Sequence, residues 1–344
     1  MLKIALDAMG GDNAPGMVLE AIQKACQIHP TTEFILFGDE RLIGPQLSQM
    51  PSQLKKAVEF IPTTEVIGPD VKPSAAVRGY RNSSMYRAIK SVVDGQAQGV
   101  VSAGNTGAYM ALSMLNFKTV ASISRPAIAT LIPTMKGASV MLDLGANVSC
   151  DAGNLVQFAV MGSVFAKFVL GLQKPSIGLL NIGSEDLKGH DVIKEAARIL
   201  KEADNLNFVG FVEGDDIAKG TVDVIVTDGF TGNVALKTAE GVARMFATFM
   251  RQSFESSWLT KLGYLLARKP FLELKQRLDP RLHDGAIFIG LNHVAIKSHG
   301  GTDGVGFANA IGVAINTLQN QLNRHIVAEL NRFTEMNDII GVSS

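Results

Sequence analysis

The chain is expected to fold as a three-layer α/β/α protein around a mostly parallel sheet. Short aliphatic or β-branched runs alternate with segments of helical period, the pattern of repeated strand-to-helix crossovers. Most runs lead into a turn rich in Gly, Asn or Asp, and the chain has 34 glycines, more than a plain helical bundle needs. With 344 residues, 47% apolar and 19% charged, it can bury a sizeable core, and residues 1–344 read as one large domain.

In chain order, strands are expected at Lys3–Asp7, Glu33–Gly38, Gly99–Ser102, Ser139–Leu144, Ser176–Asn181, Asn207–Val212 and Val222–Thr227. Helix-period segments such as Met17–His29 and Asp191–Ala203 follow them. The most apolar stretch, Leu155–Leu172, is interrupted by Gln157, Ser163 and Lys167, so it reads as a buried core helix and not a membrane span. From about Thr238 to Asp284 the rhythm breaks into a helical protrusion, with interruptions expected near Gly263 and Pro270. Ala286–Lys297 then reads as a strand or short strand pair, and Phe307–Leu330 as a closing helix.

Composition narrows the function. Lys plus Arg equals Asp plus Glu at 32 each, so no general nucleic-acid binder is indicated. Cys26 and Cys150 form neither a disulfide framework nor a CxxC pair, and the N-terminus lacks a basic region ahead of a long apolar run. A reducing cytoplasm is the expected compartment. No P-loop, HExxH, GxSxG or first-strand GxGxxG occurs, and the six histidines are not at metal-ligand spacings. Neither a metal nor a cofactor is therefore expected.

Several strand-to-helix turns carry unusual chemistry. Asp7–Gly16 holds Gly10 and Gly11 ahead of Asp12, Asn13 and Pro15, a turn that suits either an ordinary helix cap or an anion site. Ser102–Ala108 contains Gly104, Asn105, Thr106 and Gly107; Thr227–Asn233 contains Asp228, Gly229, Thr231 and Gly232 before Asn233, with Lys237 a turn later. Glycines beside hydroxyl and amide side chains at a helix start can cradle a phosphate-shaped anion. Both turns are expected at the ligand edge of one parallel sheet. Two further junctions, Leu142–Asn147 and Asn181–His190, bring Asp143, Asn181 and Lys188 to strand ends, and His299 lies in the glycine-rich loop Lys297–Asp303.

Asp7–Asp12, Ser102–Ala108, Leu142–Asn147, Leu179–Gly183 with Lys188–Gly189, Val226–Lys237 and Ser298–Gly300 together resemble, in order and across nearly the whole chain, the bacterial phosphate acyltransferase (PlsX) family. The resemblance implies a fold related to phosphotransacetylases and isopropylmalate dehydrogenases, and a homodimer. It implies transfer of an acyl group from acyl carrier protein to inorganic phosphate, the product passing to a membrane-bound glycerol-3-phosphate acyltransferase. The chain departs from the family pattern at His283–Gly290, where a Gly-Gly-Ala-Pro-Leu-Leu-Gly stretch is usual.

On this reading Gly104–Gly107 and Gly229–Asn233 hold phosphate and oxyanion between them, Lys188 and Lys237 supply charge, and Asp228 or His299 moves a proton. Between Met250 and Arg281 lie seven basic residues against three acidic, interleaved with aromatic and leucine side chains. Trp258, Leu262, Leu265, Leu266, Arg268 and Lys269 are the candidate contacts to a membrane surface or to acyl carrier protein; a dimer contact and ordinary core packing remain alternatives. Peripheral association with the inner face of the cell membrane follows from the first. The rival functions are an NAD-dependent dehydrogenase of the isopropylmalate type, whose dinucleotide and metal residues cannot be located as a set, and a non-enzymatic membrane scaffold.

Overall fold

The computed structural model describes residues 1–277 and 279–340, by backbone alone at 272, 274–277, 280 and 334–340; Leu278 and the expected last residues of the domain, 341–344, lie outside it. The strands are β1 (Leu2–Asp7), β2 (Thr32–Gly38), β3 (Val58–Pro62), β4 (Gly99–Ser102), β5 (Ala127–Thr134) and β6 (Gly137–Leu142), then β7 (Ser176–Leu180), β8 (Asn207–Val212), β9 (Val224–Val226), β10 (Ala286–Ile289) and β11 (Val294–Lys297). They form one sheet in the order β3-β2-β1-β4-β11-β10-β5-β6-β9-β7-β8.

Its strands alternate between two cores. Ile4, Leu6, Phe34, Leu36, Val101, Val140, Val224 and Ile296 face one, and their neighbours Ala5, Ile35, Phe37, Val100, Met141, Ile225 and Ala295 face the other. Side chains with a period of two that are apolar on both faces require helices on both faces. Helices Gly16–Ile28, Ala152–Val169 and Gly304–Gln319 contribute to the first core, and Ser84–Val93 and Thr106–Phe117 to the second. The layers are thus α/β/α. Ala152–Val169 is long and apolar enough to cross a membrane, but two-thirds of it is buried within the fold.

The sheet is less uniform than the strand–helix alternation implies. β3, β2, β1, β4 and β11 pair in parallel, as do β6, β9, β7 and β8. The three pairings between these blocks, β11–β10, β10–β5 and β5–β6, are antiparallel. Three reversals leave the blocks running in opposite directions, so the turn after β4 and the turn after β9 do not share a carboxyl edge. That corrects the single ligand edge expected for them.

Other expectations shift by local chemistry. β3 went unseen because its edge position leaves it half-exposed, with Glu59 and Pro62 breaking the apolar run. β5 is an antiparallel strand in a chain read as βα units. The expected closing helix is two, Gly304–Gln319 and Leu322–Ile340, separated where Gln321 adopts a φ of 49°. The protrusion consists of Gly229–Glu255, Trp258–Leu266 and Arg268–Arg277. Its breaks fall at Ser256–Ser257 and Ala267, not at Gly263 and Pro270. Ser257 takes an extended backbone and caps Thr260 reciprocally, which starts a new helix there.

Candidate active site

Three parallel neighbours end in polar residues. Leu6 pairs with Val101 and Lys297 with Ser102, so Asp7, Ser102 and Lys297 stand in one row across β1, β4 and β11. Alternation places that row on the side of the Ala5–Val100–Ala295 core. Ser102 Oγ donates to Asp7 Oδ2 at 2.7 Å, and Gly104 N donates to Ser102 Oγ at 3.0 Å. Burial pushes the Asp7 carboxyl above its usual range, while Ser84, Ser102, the Met9 amide and Lys297 pull it back. Lys297 Nζ donates to the carbonyls of Ala103, at 3.2 Å, and Ser298.

Three glycine-bearing turns close over this row. A Cβ on Gly10 would lie 2.5 Å from Gly104 N and 2.7 Å from Asp7 Oδ2, so only glycine lets the first turn rest on the second. At Gly11, with a φ of 96°, a Cβ would lie 3.0 Å from the Gly300 carbonyl oxygen. Asp12 N donates to Gly300 O at 2.8 Å, and Asn13 Nδ2 to Thr302 O at 2.7 Å. Asp284 anchors the third turn, accepting from Ser298 Oγ at 2.8 Å, Thr302 Oγ1 at 2.6 Å and His299 N at 2.9 Å. His299 is exposed, and its Nδ1 accepts from Gly301 N at 3.1 Å.

Asn105 serves this assembly structurally. Its Oδ1 caps Ala108 N at 3.0 Å, while Nδ2 donates to Gly68, Pro69 and Val71 carbonyls at 2.8–3.2 Å. Its amide is spent on holding the loop at 68–71, and the exposed Thr106 and Gly107 are what the helix start offers to an anion.

The turn after β9 behaves differently from its look-alike. Asp228 caps its helix, accepting from Thr231 N at 2.9 Å and Thr231 Oγ1 at 2.7 Å. Gly229 N donates to Asn147 O at 2.7 Å and Gly232 N to Asp228 O at 2.9 Å. The amides of Gly229, Thr231 and Gly232 are therefore engaged within the protein. Both glycines are needed because a Cβ would strike the turn at Asp143–Asn147. Asp143 is buried, and its carboxylate gathers Ile128 N, Gly145 N, Ala146 N and both nitrogens of Asn147. Asn233 is exposed, as is Lys237, which pairs with Glu240 at 2.9 Å.

An electrostatic contact connects the two turn regions. The helix that begins at Gly229 runs back from the opposite edge, and Lys237 sits about 12 Å along it at 1.5 Å per residue. There its charge acts on Lys297, helping burial to lower the Lys297 pKa to about 8. Asn181 and Lys188 join no such assembly among the described residues. Asn181 Nδ2 staples its own loop through Gly183 O and Lys188 O, both at 3.1 Å, and Lys188 is exposed 4.0 Å from Glu185.

Sequence reasoning passed over Lys297, Asp7, Ser102 and Asp284. An acid, a hydroxyl and an amine closing three otherwise aliphatic strands was the available signal. The protrusion exposes Trp258 (72% accessible), Leu262, Leu265 and Leu266, with Arg268 and Lys269 beside them. Phe230, Val242, Met245, Phe246 and Phe249 are likewise exposed on the preceding helix.

An α/β/α chain whose glycine-bearing turns converge at the ends of its parallel strands belongs to a recognisable class. It matches the family described as "Fatty acid synthesis protein" over residues 2–325 and is a member of that family. Among relatives, a protein named phosphate acyltransferase from Rhodospirillum rubrum is 51% identical over 99% of this chain and 98% of its own length. One of the same name from Rhodospirillum centenum is 56% identical over 96% of this chain and 93% of its own. Among solved structures, a phosphotransacetylase from Streptococcus pyogenes superposes with a TM-score of 0.61 at 16% identity, over 93% of this chain and 94% of its own. The EutD phosphotransacetylase from Staphylococcus aureus gives 0.56 at 17% identity, over 94% of each chain. These two likenesses establish the fold.

Proposed function

We propose that the chain, acting as one catalytic unit, transfers a fatty acyl group from acyl-[acyl carrier protein] to inorganic phosphate. The products are acyl phosphate and the free carrier thiol. The relatives named phosphate acyltransferase support the reaction, and the convergence of turns 7–13, 102–107 and 298–303 on the Asp7–Ser102–Lys297 row carries the site.

The chemistry asks little of side chains as nucleophiles. A phosphate oxygen attacks the thioester carbonyl, the C–S bond breaks as the tetrahedral centre collapses, and the sulfur leaves as a thiolate of pKa roughly 8.5. The protein's tasks are to align phosphate with the carbonyl and to stabilise the transient oxyanion. The helix start at Thr106 and Gly107 suits an oxyanion, Lys237 adds charge, and His299 is exposed for proton transfer to the departing thiolate. The exposed Trp258–Lys269 segment supports a peripheral contact with an anionic membrane or the carrier protein, and the apolar face of Gly229–Glu255 supports a homodimer. Membrane contact on the cytoplasmic side would suit delivery of a lipid-like product to a membrane-bound glycerol-3-phosphate acyltransferase.

Purified protein incubated with acyl-[acyl carrier protein] should release thiol only when inorganic phosphate is present, with hydroxylamine trapping the acyl phosphate as hydroxamate. Thiol release independent of phosphate, or none at all, sinks the reading.

A further inference from the structure

Lys297 is 9% exposed, yet among the described residues its ammonium has no carboxylate within 4.0 Å. Its hydrogen-bond partners are the Ala103 and Ser298 carbonyls. Asp7 and Asp284 lie close enough to favour its charge, but their oxygens are engaged elsewhere: Asp7 by Ser102 and Met9, Asp284 by Ser298, His299 and Thr302. A buried ammonium with no carboxylate in direct contact is disfavoured, and it carries three donors, of which two are spent here. The surroundings suit an anion of small size. Lys237, whose charge acts on Lys297 from the long helix, brings a second positive charge that an anion would offset.

We propose that Lys297 is a ligand of the inorganic phosphate, giving its third N–H to a phosphate oxygen. The two backbone carbonyls hold the ammonium at the end of β11, so that the phosphate enters a position already aligned with turn 102–107. The inference rests on the phosphate-acceptor reading above and assigns the residue that fixes the acceptor.

The charged groups acting on Lys297 are Asp7 on β1, Asp12 in the following turn, Asp284 ahead of β10 and Lys237 on the long helix, and His299 follows two residues on in the same loop. Burial lowers the Lys297 pKa to about 8, so the ammonium is present below that pH and lost above it. The value of kcat/KM for phosphate reports ionisations of the free enzyme, and should fall about tenfold per pH unit above about 8. In Lys297→Met the KM for inorganic phosphate should rise at least about tenfold while that for acyl-[acyl carrier protein] changes little. The descending limb should vanish. Lys297→Arg, whose guanidinium stays charged, should retain phosphate affinity and also lose the limb. A phosphate KM within about twofold of wild type in Lys297→Met, with the limb in place, overturns the proposal. If Lys297→Met fails to fold, Lys297→Arg decides alone, and an unchanged limb overturns it. Phosphate-induced thermal stabilisation provides a readout separate from turnover. Its loss in Lys297→Met supports the assignment even if wild type shows no phosphate-dependent thiol release, the result that defeats the acyl-transfer reading; its persistence refutes the assignment.

Discussion

Replacing Gly10 with Ala tests whether the first two turns must touch. The added methyl carbon would sit 2.5 Å from Gly104 N, 2.7 Å from Asp7 Oδ2 and 2.9 Å from Gly104 Cα, against about 3.4 Å for ordinary contact. Two of the three obstacles are backbone, so movement of the Asp7 carboxyl alone cannot relieve the clash. Relief requires the turns to part by close to 1 Å. Overpacking of this kind costs about 1–3 kcal/mol. At about 1.4 °C per kcal/mol for a chain of 344 residues, the melting temperature should fall by roughly 1–4 °C. A displacement of about 1 Å at reacting groups costs up to about a hundredfold in rate, equivalent to about 2.7 kcal/mol of transition-state stabilisation. Differential scanning fluorimetry and steady-state turnover would measure both. Gly241→Ala is the matched control, since nothing lies within 4 Å of that Cβ on an exposed helix. It should be neutral or stabilise by up to about 1 kcal/mol. Wild-type stability and turnover in Gly10→Ala would refute the close approach of the turns.

Cys150 tests for a covalent mechanism. Burial, with Asp143 and Asp228 nearby, pushes its thiol to about 11, so it is overwhelmingly protonated at neutral pH. Cys150→Ala should keep full turnover, and loss of activity without loss of fold would argue for an acyl-cysteine intermediate. For the protrusion, Leu262→Glu combined with Leu265→Glu should abolish co-sedimentation with anionic liposomes while leaving turnover on soluble substrate within about twofold. Wild-type liposome binding by the double variant would show that this helix is not the anchor.

Alternating periodicity revealed much of the architecture because each buried strand feeds both faces of the sheet. Gly99–Ser102 and Asn207–Val212 were located to the residue. Strand direction was not legible. Antiparallel β5 and β10 have the same aliphatic character as their parallel neighbours, and only their pairing reverses the second block. The two look-alike turns show the corresponding limit at the site. Ser-Ala-Gly-Asn-Thr-Gly and Thr-Asp-Gly-Phe-Thr-Gly differ little in composition, yet Asn105 pins a remote loop while Asp228 caps its own helix. Asn181 likewise reads as an anion ligand and serves as a loop staple. Hydrogen bonds to segments distant in sequence decide such roles. The row at Asp7, Ser102 and Lys297 depends on a pairing between strands 195 residues apart at Ser102 and Lys297.

That pairing has a consequence for how the protein is made. β11 lies between β4 and β10, so the first-synthesised block presents an open edge at β4 until residue 297 has left the ribosome. Unpaired edges of this kind invite association with other chains. A nascent chain therefore exposes that edge from the completion of β4 until β11 emerges, and a product truncated before β11 would lack the strand that closes the seam.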